Sequence, residues 1–450
     1  MPAPRCCGIL PRMTITPRPL RALAALLLIG LLLAACAHAP RQAAAPALPD
    51  PVILISLDGF HPDYLQRGLS PTLQRLADTG VLAAWMNPSY PSLTFPNHYT
   101  LVTGLRPDRH GIVHNTMFDP ALGSFGLSLR GAVEDGRWWG GEPIWVTARR
   151  QGLRTATMFW PGSEAEIAGL RPHEWFRFSP QPTPAERVDT LLAWLDRPEP
   201  DWPRFMTLYF EHVDTAGHDF GPHAPQTDAA IAAVDAALAR LLDGLRARGL
   251  EGRVNLIITS DHGMAEVSSE RVILLDDHLP REAARILTLG EVVGLSPQPG
   301  HEAEVEAALL GRHAHFACWR REQLPPRWHY GRHPRIPAIV CQADEGWKLL
   351  TRAALERAGG RVKPGAHGFD PEAPSMRALF LAHGPAFAQG VELPPFDNVH
   401  VYPLLAHLLG ITAADSDGDL AVLAPALRSA HGTQAVLPGQ SCSSCGSTRR

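Results

Sequence analysis

The sequence predicts an α/β protein built on a mostly parallel central sheet with helices on both faces. Three observations carry this reading. Short apolar runs stop at Asp58 and Asp261, and a third, strand-like run leads to Asp214; runs with β-branched members and no polar alternation mark strands buried on both faces. Helical stretches follow these runs, Thr227 to Leu242 being the strongest, and that alternation is expected of a sheet covered on both sides. Finally, the candidate site residues interleave along nearly all of residues 50–435, so division into independent domains of about 150 residues would break the site. Residues 50–435 are therefore read as one α/β domain, ahead of a polar, Ser-rich tail at 436–450.

At the N-terminus, Arg18 and Arg21 precede the apolar run Ala22 to Leu33, and Leu33-Ala34-Ala35-Cys36 reads as a bacterial lipobox. The run is too short and wrongly flanked for an ordinary membrane span, so residues 1–35 are read as a lipoprotein-type signal peptide. Cys36 would become the lipidated first residue, and 36–49, rich in Ala and Pro, a tether. Cleavage near Ala37 to Ala39 would instead give a soluble exported protein. The expectation is an exported, periplasmic monomer that meets the membrane only through a lipid at Cys36.

The first strand is Pro51 to Leu57, which ends at Asp58 and turns at Gly59. Ligands of open α/β sheets collect at this carboxyl edge. Next comes Asn87 to Gly104, where Pro96 suits a first helical turn and Gly104 a helix end. Thr94 would then stand at a helix N-terminus, where free N–H groups and the macrodipole favour a phosphate. Read alone, this segment favours Thr94, Ser92 or Ser89 as a simple N-cap, and only the metal constellation favours a nucleophile instead. The run through Tyr209 and Phe210 leads to Asp214, with His218 four positions later, a spacing that lets both side chains meet one ion on a helical turn or tight loop. The run Val254 to Ser260 delivers Asp261-His262, and Gly263 releases the chain. A single Asp or His at a strand end is an ordinary turn residue, and His212, His223, His383 and His400 are left in that class. Three strand ends carrying Asp, two with His beside or near them, point to metal.

Several stretches, in order, resemble the nucleotide pyrophosphatase/phosphodiesterases of the alkaline phosphatase superfamily. They are Leu57 to Phe60, Pro91 to Gly104 with its Thr-Phe-Pro-Asn-His core, Gly104 to Asn115, Asp214 to His218, Thr259 to Met264, and His367-Gly368-Phe369. The likeness runs over roughly residues 50 to 412 and implies an alkaline-phosphatase-like sheet with two zinc ions. By that resemblance Asp214, His218 and His367 hold one Zn2+, while Asp58, Thr94, Asp261 and His262 hold the other. His367 is not selected by spacing alone. The resemblance also implies that Thr94 attacks phosphorus to form a phospho-threonine, that water then releases a nucleoside monophosphate, and that Asn115 and the Thr94 N–H donate to a nonbridging oxygen. Two cations suit this chemistry because they clamp the attacking and leaving oxygens of an anionic diester.

For the substrate, Phe95 would overhang the pocket, and the stretch Trp175-Phe176-Arg177-Phe178 offers an opposing face, with Phe178 taken as a contact and Trp175 and Phe176 equally well core. Stacking on aromatics is worth about 1–3 kcal/mol per base and tolerates every base. A choline-headgroup phosphodiesterase on the same scaffold would use the same residue types in an aromatic cage. A sulfatase would need Cys or Ser before Pro and Arg where Thr94-Phe95-Pro96-Asn97 stands, and no Ser nucleophile with an adjacent Arg indicates a phosphomonoesterase. A formal net charge of −4 leaves no polybasic footprint for duplex nucleic acid. A binding protein without turnover is disfavoured by the intact nucleophile and ligand set. Export permits disulfides, Cys318 with Cys341 being the favoured pair, while Cys6 and Cys7 leave with the signal. Cys442 and Cys445 lack the second pair a zinc site needs. The run Asp415 to Asp419 mimics a calcium loop, but Ala426 stands where the closing Glu belongs, so it is read as a turn.

Overall fold

A computed structural model describes Met1, Gly8 and residues 48–428. The run Ala22 to Leu33, Cys36, and the tail 436–450 with Cys442 and Cys445 lie outside the described residues, as do Cys6 and Cys7. Strands β1 (Val52–Leu57), β2 (Val81–Ala83), β3 (Thr155–Met158), β4 (Glu174–Trp175), β5 (Phe205–Phe210), β6 (Asn255–Thr259), β7 (Phe380–His383) and β8 (Val391–Leu393) form the main sheet, in the order β8-β2-β7-β6-β1-β5-β3-β4. Only β7 runs against the others, pairing antiparallel with both β6 and β2. The mostly parallel sheet expected from the sequence is thus present.

β1 is central because every side chain in it is apolar or small and fully enclosed, burying both faces. Its alternate residues fall into separate cores. Val52 and Leu54 pack with one cluster, while Ile53, Ile55 and Leu57 pack with another, the period of two expected of a strand. Helices cover both. α1 (Pro71–Thr79), α3 (Pro184–Trp194) and α5 (Pro225–Ala247) supply the second cluster through Leu73, Leu76, Val188, Leu191, Ile231, Val234 and Leu238. α2 (Thr94–Thr103) and α6 (Val401–Leu408) supply the first through Tyr99, Val102, Tyr402 and Leu405. α4 (His212–Phe220) is short and sits directly at the end of β5.

Register sets where these strands deliver their loops. β1 aligns Val52 with Phe205 through Leu57 with Phe210 on one side, and Val52 with Asn255 through Ser56 with Thr259 on the other. The three strands therefore end at one level, and the residues after them emerge along one edge.

A second, antiparallel sheet of five strands with its own core was not anticipated from the sequence. It orders Ala284–Ile286, Val292–Pro297, Ile339–Ala343, Phe316–Arg320 and Gly311–Arg312, with Val293, Leu295, Phe316 and Ile339 buried together. Cys318 faces Cys341 across two adjacent strands, and the two form a disulfide. The turn at Asp415 to Asp419 is held from within the protein: Arg109 bonds Asp415 and Asp417, and Asp419 caps the helix beginning at Leu420. From Pro49 onward the described chain is one compact unit.

One buried cation ties a helix to the edge where the strands end. Arg187 on α3 is fully enclosed; it donates to both carboxylate oxygens of Glu211 at 2.5 and 2.8 Å and to the Tyr209 carbonyl at 2.8 Å. Arg187→Leu leaves the Glu211 carboxylate without its cation, so it should cost about 3–5 kcal/mol, as expected for breaking a buried pair. Urea unfolding checks this; a loss under about 1 kcal/mol, the worth of an exposed pair, would mean the clamp contributes no more than a surface ion pair.

Candidate metal-centred active site

Asp58 follows β1 and is enclosed; the chain turns at once at Gly59, whose φ of +70° suits glycine and where a Cβ would sit 3.0 Å from the Asp214 Cα. Its Oδ2 accepts from the Tyr209 hydroxyl at 2.6 Å, while Oδ1 lies 3.6 Å from His262 Nε2. Asp261 and His262 follow β6 through Ser260, whose hydroxyl donates to the Phe60 carbonyl and accepts from the Leu379 N–H, pinning that corner. His262 Nε2 stands 2.9 Å from Asp261 Oδ2.

Asp214 and His218 lie one turn apart on α4, as the spacing allowed, with Asp214 Oδ1 at 3.5 Å from His218 Nε2. His367 arrives from far along the chain. The two-residue strand Gly365–Ala366 pairs antiparallel with Ala265–Glu266, just past His262, and this pairing stacks the His262 and His367 rings with centroids 3.5 Å apart. His367 Nε2 is then 3.5 Å from Asp214 Oδ1. Each of the three histidines spends its Nδ1 on a backbone carbonyl: His218 on Gly365, His262 on Gly263 and His367 on Ser92, all at 2.9 Å. Donation from Nδ1–H fixes the tautomer that leaves Nε2 with a lone pair facing the centre, the arrangement by which metal-binding histidines are oriented.

Thr94 is the first residue of α2, and its hydroxyl lies 3.4 Å from His262 Nε2. The N-cap alternative fails for all three hydroxyls, because Leu93 occupies the cap, Ser92 donates to the Phe369 carbonyl and Ser89 to Asn398 Oδ1. Asn97 braces the turn before the helix by donating to the carbonyls of Ser89, Pro91 and Leu93. Asn115 accepts from the Phe95 N–H at 2.9 Å, which orients its amide and leaves the NH2 end to donate elsewhere. The seven residues selected from the sequence for metal therefore meet in one centre, with Asn115 beside it. His212, His223, His383 and His400 are not part of it; His400, for instance, accepts from the Asp419 N–H.

The electrostatics of this centre call for added positive charge. Burial pushes the Asp58 carboxyl well above its ordinary range, and the Asp261 and Asp214 charges push it further. Burial likewise raises Asp214. Burial opposes ionisation of Asp261 too, yet the His262 and His98 rings hold it well below the usual carboxylate range. Burial alone would lower His262, but the Asp261 charge raises it. His367 is pushed well down by burial and by its neighbours His262 and His218. Asp58 Oδ1, Asp214 Oδ1 and Asp261 Oδ2 are buried with no hydrogen-bond donor. Three enclosed carboxylates with orphaned oxygens, facing three imidazole lone pairs, are a donor set that fits divalent cations of the zinc type. Asp214, His262 and His367 can converge on one ion and Asp58 and Asp261 on a second, with His98 beside the latter pair. His262 stands between both groups.

Two side chains at the centre were missed from sequence. His98 lies one turn after Thr94 on α2 and Tyr209 near the end of β5, and no local pattern distinguishes either. Among the aromatics, the half-buried Phe95 leans on Trp139 and Phe125 at 5.8 and 6.0 Å, and Phe178, 37% exposed, lies edge-on to Phe159 and Tyr209 at 5.2 and 5.9 Å. Phe176 instead stacks on Trp194 of α3, and Arg171 covers Trp175.

Known proteins agree with this geometry. Residues 52–370 match the family described as type I phosphodiesterase/nucleotide pyrophosphatase. An uncharacterized pyrophosphatase/phosphodiesterase of Schizosaccharomyces pombe is 38% identical over 395 residues, covering 85% of this chain and 81% of the relative. The ectonucleotide pyrophosphatase/phosphodiesterase family member 3 of Bos taurus is 38% identical over 379 residues, covering 82% of this chain; the chain spans 43% of that relative's length. The structure of murine ectonucleotide pyrophosphatase/phosphodiesterase 5, an inactive threonine-to-alanine form in complex with AMP, superposes with a TM-score of 0.80 at 35% identity, covering 84% of this chain and all of that one.

Replacing His262 or Asp214 by Ala should remove bound metal, whereas His223→Ala should leave it unchanged, since His223 reaches only Arg67. Elemental analysis of the purified proteins reads the outcome. Parental metal content in both His262→Ala and Asp214→Ala would refute the centre.

Proposed function

Because this chain belongs to the type I phosphodiesterase/nucleotide pyrophosphatase family, we propose that it hydrolyses phosphodiester and pyrophosphate bonds of nucleotides at this centre, through Thr94 and two Zn2+, releasing a nucleoside monophosphate. The observation that carries the reading is the convergence of Thr94 at a helix start with two buried carboxylates, the half-buried Asp214, and three imidazoles whose Nε2 atoms face inward. Asp214, His218 and His367 would hold one zinc; Asp58, Asp261 and His262, with Thr94, the other. Bound there, the cations would lower the pKa of the Thr94 hydroxyl and neutralise charge on the phosphoryl group.

The chain's own groups account for the rest. The Thr94 hydroxyl gives up its proton to solvent, its oxygen bonds to phosphorus and the bond to the leaving oxygen breaks, giving a phosphorylated Thr94 and a leaving group that takes a proton from solvent. Water then loses a proton and bonds to phosphorus, the Thr94–phosphorus bond breaks, Thr94 regains a proton, and the monoester leaves. The Asn115 NH2, oriented by its bond from Phe95, donates to a nonbridging oxygen, joined by the N–H of Thr94, which lies outside the helical ladder at the first position of α2. Phe95 and Phe178 offer apolar ring faces for a nucleobase. The AMP complex of the murine neighbour supports a nucleotide substrate, and its inactive threonine-to-alanine form supports a threonine nucleophile. The choline-headgroup alternative draws no such support, since the relatives are described as nucleotide enzymes or as phosphodiesterases. We take residues 50–435 as the catalytic domain of an exported protein, held in the periplasm by a lipid at Cys36.

Turnover of dinucleotides, nucleoside triphosphates and phosphocholine esters, measured side by side, tests the substrate class; preference for the phosphocholine ester would overturn it. Thr94→Ala should abolish turnover while substrate still binds, and Thr94→Ser should keep measurable activity because a hydroxyl remains. Near-parental hydrolysis by Thr94→Ala would make water the direct attacker. Phe95→Ala should raise KM for nucleotide esters by the equivalent of about 1–3 kcal/mol of stacking and barely change a small diester without a base. Equal losses on both substrates would reduce Phe95 to packing around Thr94.

A further inference from the structure

Tyr209 joins two parts of the site that are otherwise separate. Its hydroxyl donates to Asp58 Oδ2 at 2.6 Å, so that oxygen is engaged and Oδ1, which has no donor, is the one left facing His262. Its ring lies edge-on beneath Phe178, the exposed aromatic of the site, at 5.9 Å. His98 packs against the ring at 5.1 Å and 84° and is held in turn by its own hydrogen bonds. His98 Nδ1–H donates to the Thr94 carbonyl at 2.9 Å, its Nε2 accepts from the Ser56 hydroxyl at 2.7 Å, and Trp160 closes over its ring at 5.0 Å. Both nitrogens are engaged inside the protein, and Nδ1 also lies 3.3 Å from Asp261 Oδ2, so His98 stands as a wedge beside the carboxylates.

We propose that Tyr209 is a positioning residue with two separable roles: its hydroxyl presents Asp58 Oδ1 to the cations, and its ring sets the height of the Phe178 platform. The proposal rests on the two-cation nucleotide reading above. A carboxylate turned by a donor on one oxygen keeps the other aimed without rearrangement on binding, and loss of such a partner commonly costs 10–100-fold in metal affinity.

The test compares Tyr209→Phe with Phe178→Leu in the full chain, reading zinc affinity by chelator competition, the melting temperature of the zinc-free protein, and KM for a nucleotide ester against a baseless diester. Tyr209→Phe should lower zinc affinity about 10–100-fold, leave the zinc-free melting temperature near parental, and keep the KM ratio, because the ring remains. Phe178→Leu should do the reverse, shrinking the KM ratio at parental zinc affinity. A third variant, Tyr209→Leu, should show both losses. Parental zinc affinity in Tyr209→Phe overturns the hydroxyl's role, and a KM ratio unchanged in Tyr209→Leu overturns the ring's. Failure of the parental protein to retain zinc, or to distinguish the two substrates, would instead overturn the reading on which the proposal rests.

Discussion

The register of β1 between β5 and β6 is the constraint on which the site depends. Parallel pairing sets Leu57 level with Phe210 and Ser56 level with Thr259, so the three strands end within one residue of each other and Asp58, the α4 turn with Asp214, and Asp261 leave the sheet along a common edge. A slip of one residue would turn the Ile53, Ile55 and Leu57 face toward the opposite core and carry Asp58 with it. The apolar clusters on both faces therefore fix the chemistry as well as the fold, because each resists the slip independently.

That placement has an electrostatic consequence. Three carboxylates gathered in one corner repel one another and lose hydration, and the surrounding described residues supply the Tyr209 hydroxyl, the Gly59 N–H and the rings of His98, His218, His262 and His367 in return. Without cations the corner is a point of unfavourable charge held in place by packing elsewhere. With them, the same donors become a preorganised cradle for an anionic ester.

Much of this was legible in the sequence, for physical reasons. Asp58 and Asp261 ended runs whose composition only a doubly buried strand tolerates, and Asp214 with His218 carried the period of a helical turn. Thr94 was marked by Pro96 and Gly104 bounding a short helix. His367 was different: its place depends on a two-residue ladder formed with a segment about a hundred positions earlier, and no local pattern encodes such a pairing. Family likeness named it where spacing did not. The five-stranded sheet was missed because its strands are short, two to six residues, and lie among Pro-, Gly- and Arg-rich connections that read as loop. His98 and Tyr209 act through hydrogen bonds made sideways in the interior, which leave no periodicity to detect.

The ladder between Ala265–Glu266 and Gly365–Ala366 sets the separation of His262 and His367 without reference to what lies between them. The intervening stretch contains the five-stranded sheet, which carries its own core and is fastened across two strands by Cys318 and Cys341. Closing a loop costs only slowly more as the loop lengthens. The excursion is therefore a place where the chain can diverge in length and surface, through insertion or exchange of strands, while two inward-facing imidazoles keep their stacking. Where that stretch packs on the main core, through Leu324, Trp328, Tyr330, Ile336 and Val340, the same freedom ends.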